Sequence, residues 1–123
     1  MSTVVIYEED RPMRALLEEW LNDAGYCATA VAHLDRASPD RADLVIVSVY
    51  RPKDAGAQLI REAHEIHPGA PLIAISSQFR AGLSAAGTTA QALGAQRVIA
   101  IPLTREELLS AVRDMIGVPN LPR

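Results

Sequence analysis

Three acids stand in a row, Glu8-Glu9-Asp10, directly after a short apolar run, and a serine, Ser48, closes a second apolar run, "LVIVSV", just ahead of Pro52 and Gly56. Carboxylates are hard oxygen donors of the kind Mg²⁺ takes, but that ion wants several such ligands in near-octahedral geometry. Glu9 is accordingly a weak cation ligand at most, and Asp10 reads first as a helix cap. A serine hydroxyl is a poor nucleophile until a base activates it. None of the three histidines is suitably placed: His33 falls in a loop, and His64 and His67 are expected on the wet side of a helix or just beyond it. The plain reading of Ser48 is a strand-end serine bonded to nearby backbone; phosphorylation by a separate kinase is the second. Cys27 reads as a small core residue, and Arg61, Glu62 and Glu65 as a solvated helix face.

The elements around these residues alternate. "TVVIY" (3–7), "YCATAVA" (26–32), "LVIVSV" (44–49), "PLIAIS" (71–76) and "RVIAI" (97–101) are short apolar runs rich in β-branched residues. Between them lie stretches of helical period. Residues 11–25 place Met13, Leu16, Leu17, Trp20, Leu21 and Ala24 on one stripe, with Asp10 to cap the start, Pro12 in the first turn and Gly25 to end it. Residues 55–69 align Leu59, Ile60, Ala63 and Ile66. Residues 104–117 open on a capping box, Thr104 with Glu107, followed by Leu108, Leu109, Val112, Met115 and Ile116. Strands alternating with helices imply a parallel sheet covered on both faces. Two stretches are weaker: 33–43 contains Pro39 and leaves little room for a helix, and 77–96 is interrupted by Gly82 and Gly87. The end, 118–123, reads as a flexible tail.

The chain has 123 residues, 49% hydrophobic and 22% charged, with a net charge of −3. One domain of that size buries roughly two-thirds of its unfolded surface and needs no metal or disulfide staple. There is no basic field to hold nucleic acid and no apolar run long enough to span a membrane. A single cysteine and an acidic N-terminal stretch in place of a signal sequence point to the cytoplasm.

In order and spacing, these residues resemble the receiver domain of two-component response regulators over residues 1–117. The matching features are the acidic cluster after the first strand, "DLVIVSVYRP" with Gly56, Ser76 at the end of a strand, and "ALGAQRVIAIPLTREELLSAV". The resemblance implies an α/β, flavodoxin-like three-layer fold with a five-stranded parallel sheet of order 2-1-3-4-5. It brings Glu8, Glu9, Asp10 and Ser48 to one crevice. In a working receiver the Ser48 position is an aspartate that accepts a phosphoryl group. The acidic pair helps hold Mg²⁺, a lysine at the Ile101 position contacts the phosphoryl oxygens, and a Ser or Thr at Ser76 and an aromatic at Val98 move with it. The Ile101–Pro102 bond is expected to be cis, as in the family.

This chain departs from the pattern at Ser48, Ile101 and Val98. Loss of the carboxylate and of the lysine fit each other, because a buried cation without its anion carries a large desolvation cost. The expectation is therefore a receiver-like, non-enzymatic signalling domain without aspartyl phosphorylation and without a cofactor. It would act through protein contact, with a signalling protein or a second copy. The expected face is the family's fourth helix, fifth strand and fifth helix, here Val98, Leu103, Thr104 and segment 77–96. Arg51 or Lys53 is expected to fold toward Glu8 or Glu9 to relieve like-charge crowding. Three alternatives stand beside this. A receiver could still switch by phosphorylation or ion binding at another pocket residue such as Asp10. A small α/β hydrolase could use Ser48, but lacks a G-x-S-x-G turn. A flavodoxin-like cofactor binder would need a phosphate-cradling loop where this chain has "EEDRP".

Overall fold

Every apolar run forms a strand: β1 Thr3–Tyr7, β2 Cys27–Val31, β3 Leu44–Ser48, β4 Leu72–Ser76 and β5 Arg97–Ala100. The structure is a computed structural model that describes residues 2–33, 42–49, 54–76, 94–101 and 103–117. The helices among them are α1 Arg11–Asp23, α2 Asp54–Ile66 and α3 Arg105–Ile116. The strands form one sheet, order β2-β1-β3-β4-β5, with every neighbouring pair parallel. This is the order expected from the resemblance.

Side chains alternate across a strand, so each run feeds two cores. Val4, Ile6, Leu44, Ile46, Ile73 and Ile75 face Leu17 and Leu21 of α1 and Leu108, Ala111 and Val112 of α3. Val5, Tyr7, Val45, Val47, Leu72 and Ala74 face Ile60 and Ala63 of α2. Both faces are covered, and β3 is buried along its whole length. Each fully buried aliphatic side chain contributes about 1.5–3 kcal/mol relative to leaving it in water.

The helix ends follow the expected chemistry. The Asp10 carboxylate accepts the Met13 N–H at 3.0 Å, Pro12 sits in the first turn of α1, and Gly25 beyond its end has φ 102°. Thr104 and Glu107 form the reciprocal box at α3, at 3.0 and 3.1 Å.

Three sequence expectations fail on packing. Leu16 is 38% exposed, because the buried stripe of α1 is only wide enough for Leu17 and Leu21, with Met13, Trp20 and Ala24 at its margins. Cys27 is exposed rather than in the core. It lies on edge strand β2, where Ala28 is buried on the α1 side and the neighbouring residues Cys27 and Thr29, on the opposite face, are exposed at the sheet margin. His67 is buried instead of wet: its N–H still bonds Ala63 O, one helical turn back, so its ring continues the inward stripe of Ile60 and Ala63 toward Tyr7 of β1. The expectations for 34–41, for 77–93, for Arg51 and Lys53, for the Pro102 peptide bond and for the tail 118–123 lie outside the described residues.

Candidate functional site

The carboxyl ends of β1, β3, β4 and β5 bring the expected residues into one row. Tyr7 pairs with Val47, so Glu8 and Ser48 leave adjacent strands together. Ser48 pairs with Ile75, and Ser76 with Ala100, which puts Ser76 and Ile101 next along the same edge. The row is held by backbone: the Glu8 N–H donates to Val31 O at 3.0 Å, Val49 N–H to Ile75 O at 2.7 Å and Ile101 N–H to Ser76 O at 3.0 Å.

The three consecutive acids do not point at one place. Glu8 is buried, and its Oε1 accepts the Asp10 N–H at 2.9 Å. Glu9 is exposed, with Oε1 3.7 Å from His33 Nδ1. Asp10 is turned onto α1 as its cap. Arg14, one turn into α1, donates from Nη1 to the carbonyl oxygens of Glu8 and Glu9, at 3.0 and 3.4 Å. Arg51 and Lys53, the cations expected at this acidic run, lie outside the described residues. Among the described residues the cation on this run is Arg14, which meets the Glu8 and Glu9 carbonyl oxygens. The signal was present in the spacing, since Arg14 lies four residues after the cap and so on its side of the first turn.

Ser48 is 5% exposed, and its Oγ has no hydrogen-bond partner among the described residues. The expected bond to nearby backbone is therefore not formed with any of them. β3 commits its own N–H and C=O groups to strands on both sides, and the hydroxyl is buried at the strand end. Ser76 is also buried. Ile101 is half-buried and packs as apolar filling against the core shared by α1 and α3. Val98 is buried in the α2-side core and Leu103 in the other, so neither offers a docking surface. Of the three residues expected to mark that face only Thr104 is exposed, and its hydroxyl is taken by the capping box. The reason is geometric: Val98 lies in the interior of β5 and Leu103 packs inward just before α3.

The histidines are all placed. His33 faces Glu9, the His64 Nε2 lies 2.9 Å from Gly94 O, and the His67 Nε2 lies 2.5 Å from the Tyr7 hydroxyl. None reaches Ser48. Among the described residues no three His, Cys, Asp or Glu side chains are grouped to hold a metal ion, and no helix is long and apolar enough to cross a membrane.

No protein-family model matches the chain. Over 118 residues, 92% of its length, it is 25% identical to the response regulator MprA of Mycobacterium avium, and equally to that of Mycobacterium tuberculosis. The chain spans about half the length of these curated relatives (50%). A solved response regulator from Thermotoga maritima superposes with TM-score 0.77 at 22% identity, covering 95% of this chain and 98% of that one. A CheY-like receiver domain protein from Methanospirillum hungatei gives 0.76 at 19% identity, covering 94% of each. A receiver protein from Burkholderia phymatum gives 0.72 at 23%, covering 100% of each. The fold is thus the CheY-like, flavodoxin-type α/β fold. Along nearly the whole chain the sequence is also similar to these response regulators.

Proposed function

We propose that this chain is a degenerate receiver domain that accepts no phosphoryl group on the third strand and signals by binding another protein. The observation that carries the reading is Ser48, a neutral, buried hydroxyl at the end of β3 and next to buried Glu8, where the family resemblance calls for an aspartate. Ile101 supports it. An aliphatic side chain packed against the core stands where a phosphate-contacting lysine would be. Phosphoryl transfer rests on positioning and on neutralising charge, and this edge supplies neither an anionic acceptor nor that cation.

A resident Mg²⁺ does not fit the described donors. They offer one buried carboxylate, Glu8, already engaged with the Asp10 N–H, and a neutral hydroxyl. Glu9 and Asp10 are turned to His33 and to α1. The domain is non-enzymatic in this reading: a serine hydrolase needs a base on Ser48, and all three histidines are engaged elsewhere. Contact with a signalling protein or with a second copy then supplies the output. The exposed face of α3, beginning at Thr104, is the described part of the expected docking region.

Incubation with acetyl phosphate and Mg²⁺, followed by intact-mass spectrometry, tests the reading. The expected result is no added phosphoryl mass. An adduct that maps to Asp10 would favour the alternative of phosphorylation at another pocket residue, and any magnesium-dependent adduct would end the proposal.

A further inference from the structure

His67 is 6% exposed, and its ring meets that of Tyr7 at a centroid distance of 5.7 Å, tilted by 42°, with Nε2 on the Tyr7 hydroxyl. The same residue lines a cavity of about 410 Å³, whose other walls include Ala42, Asp43, Ile66, Pro68 and Gly69. The turn from α2 to β4 starts at this histidine. Its N–H donates to Ala63 O at 2.9 Å, and its carbonyl accepts the Ala70 N–H at 3.2 Å. One residue therefore ties the turn to β1 through its side chain, and through its backbone to α2 and to Ala70, two residues before β4.

We propose that the Tyr7–His67 pair is a proton-operated lock on the α2–β4 turn, closed while the imidazole is neutral and opened when protonation sends the ring into the adjoining cavity. A neutral imidazole has one donor and one acceptor nitrogen and is satisfied by a hydroxyl. An imidazolium donates from both nitrogens and needs water or an anion, and an unpaired charge in an apolar core is costly. The cavity supplies both needs. It has room for several waters at about 30 Å³ each, and Asp43 is one of the residues that line it. Asp43 Oδ2 holds the Thr3 N–H at 2.8 Å, so that wall is fixed in place.

The ionisable groups around the ring, among the described residues, are few. Tyr7 faces it from β1, and Asp43, in the segment entering β3, lines the same cavity. His64, on α2 itself, is turned to Gly94 O. Burial holds the His67 pKa below the usual 6.5. A group whose folded pKa is depressed in this way binds its proton more tightly once released. The lock is therefore whole above about pH 6.5 and weakens as pH falls from there toward the folded value. The turn leads directly into β4, the strand that ends at Ser76, so acid would act on an element of the candidate site.

Amide hydrogen exchange by NMR between pH 7.5 and 5, corrected for intrinsic rates, tests the lock. Below pH 6.5 the Ala70 and Leu72 amides should exchange faster, by up to roughly tenfold per pH unit, while Ile6 and Val112 stay protected. His64→Gln should keep this response, and His67→Phe should abolish it. A pH-independent turn, a response that survives His67→Phe, or equal acceleration of Ile6 and Val112 would each overturn the proposal. If His67→Phe does not fold, the imidazole titration of the unaltered protein decides: a His67 value well below 6.5 supports the lock, and one at or above 6.5 removes it.

Discussion

Ser48 carries its hydroxyl into the interior without a hydrogen bond to any described residue. Removing a buried polar group that has no partner relieves a desolvation cost of about 1–3 kcal/mol. Ser48→Ala should therefore leave urea-unfolding stability unchanged or raise it by about 1 kcal/mol. A loss of more than that would reveal a partner for the hydroxyl. Restoring the family's charge is the opposite experiment. Ser48→Asp places a carboxylate beside buried Glu8 with no lysine among the described residues to meet it, at a cost of about 3 kcal/mol, the scale of an uncompensated buried charge. Ile101→Lys alone is destabilising for the same reason. The two together should cost less than the sum of the singles, by about 1–3 kcal/mol in a double-mutant cycle. Strict additivity would show that the two positions do not share the crevice.

Helix ends and strand joints have predictions of their own. Asp10→Ala removes the cap of α1 and should cost about 1 kcal/mol by thermal or urea unfolding, with Thr104→Ala similar at α3. The Tyr26 hydroxyl donates to Gly117 O at 2.9 Å and pins the end of α3 to the start of β2. Burial raises the Tyr26 pKa above 10, only partly opposed by the Arg113 charge. A raised folded value means that this contribution is whole below pH 10 and is lost as pH rises from there through the folded pKa. Tyr26→Phe should cost about 1 kcal/mol at neutral pH and remove that alkaline component from the stability profile, read by urea melts from pH 8 to 11. An unchanged alkaline slope would count against the anchor. The Arg97–Asp114 pair, 3.0 Å apart and partly exposed, contributes under about 1 kcal/mol by comparison.

Across the molecule, the sheet order turns scattered residues into one edge. Glu8, Ser48, Ser76 and Ile101 come from separate parts of the chain and meet only because β1, β3, β4 and β5 are consecutive neighbours. If the described donors hold no cation, millimolar MgCl₂ should leave the melting temperature where it is. An ion present at a hundred times its dissociation constant would add about 2.7 kcal/mol, so a clear magnesium-dependent rise would show that a site exists. Native-source pull-down with the intact domain as bait, repeated with an α3 surface variant such as Glu106→Lys, asks whether this face carries the contact. Capture of a signalling protein that the variant loses is the expected outcome, and undiminished capture would move the surface elsewhere.

Strand positions, helix caps and parallel pairing were legible because they rest on local patterns: apolar runs of strand length alternating with helices, Asp10 before Pro12, Thr104 before Glu107; the strand order came from the family resemblance. The chemical identity at the candidate site was legible too, since Ser48 and Ile101 are what they are wherever the chain goes. Tertiary structure decided which way side chains face. Whether Leu16 and Cys27 meet solvent depends on which faces of α1 and β2 find a neighbour. His67 is buried because the inward stripe of α2, Ile60 and Ala63, runs on to it and Tyr7 of β1 receives its ring. Glu8, Glu9 and Asp10, identical in kind and consecutive, take three separate partners because a strand end, a loop and a helix start each impose a different direction. Composition and period carry no information about that; only the contacts between distant segments do.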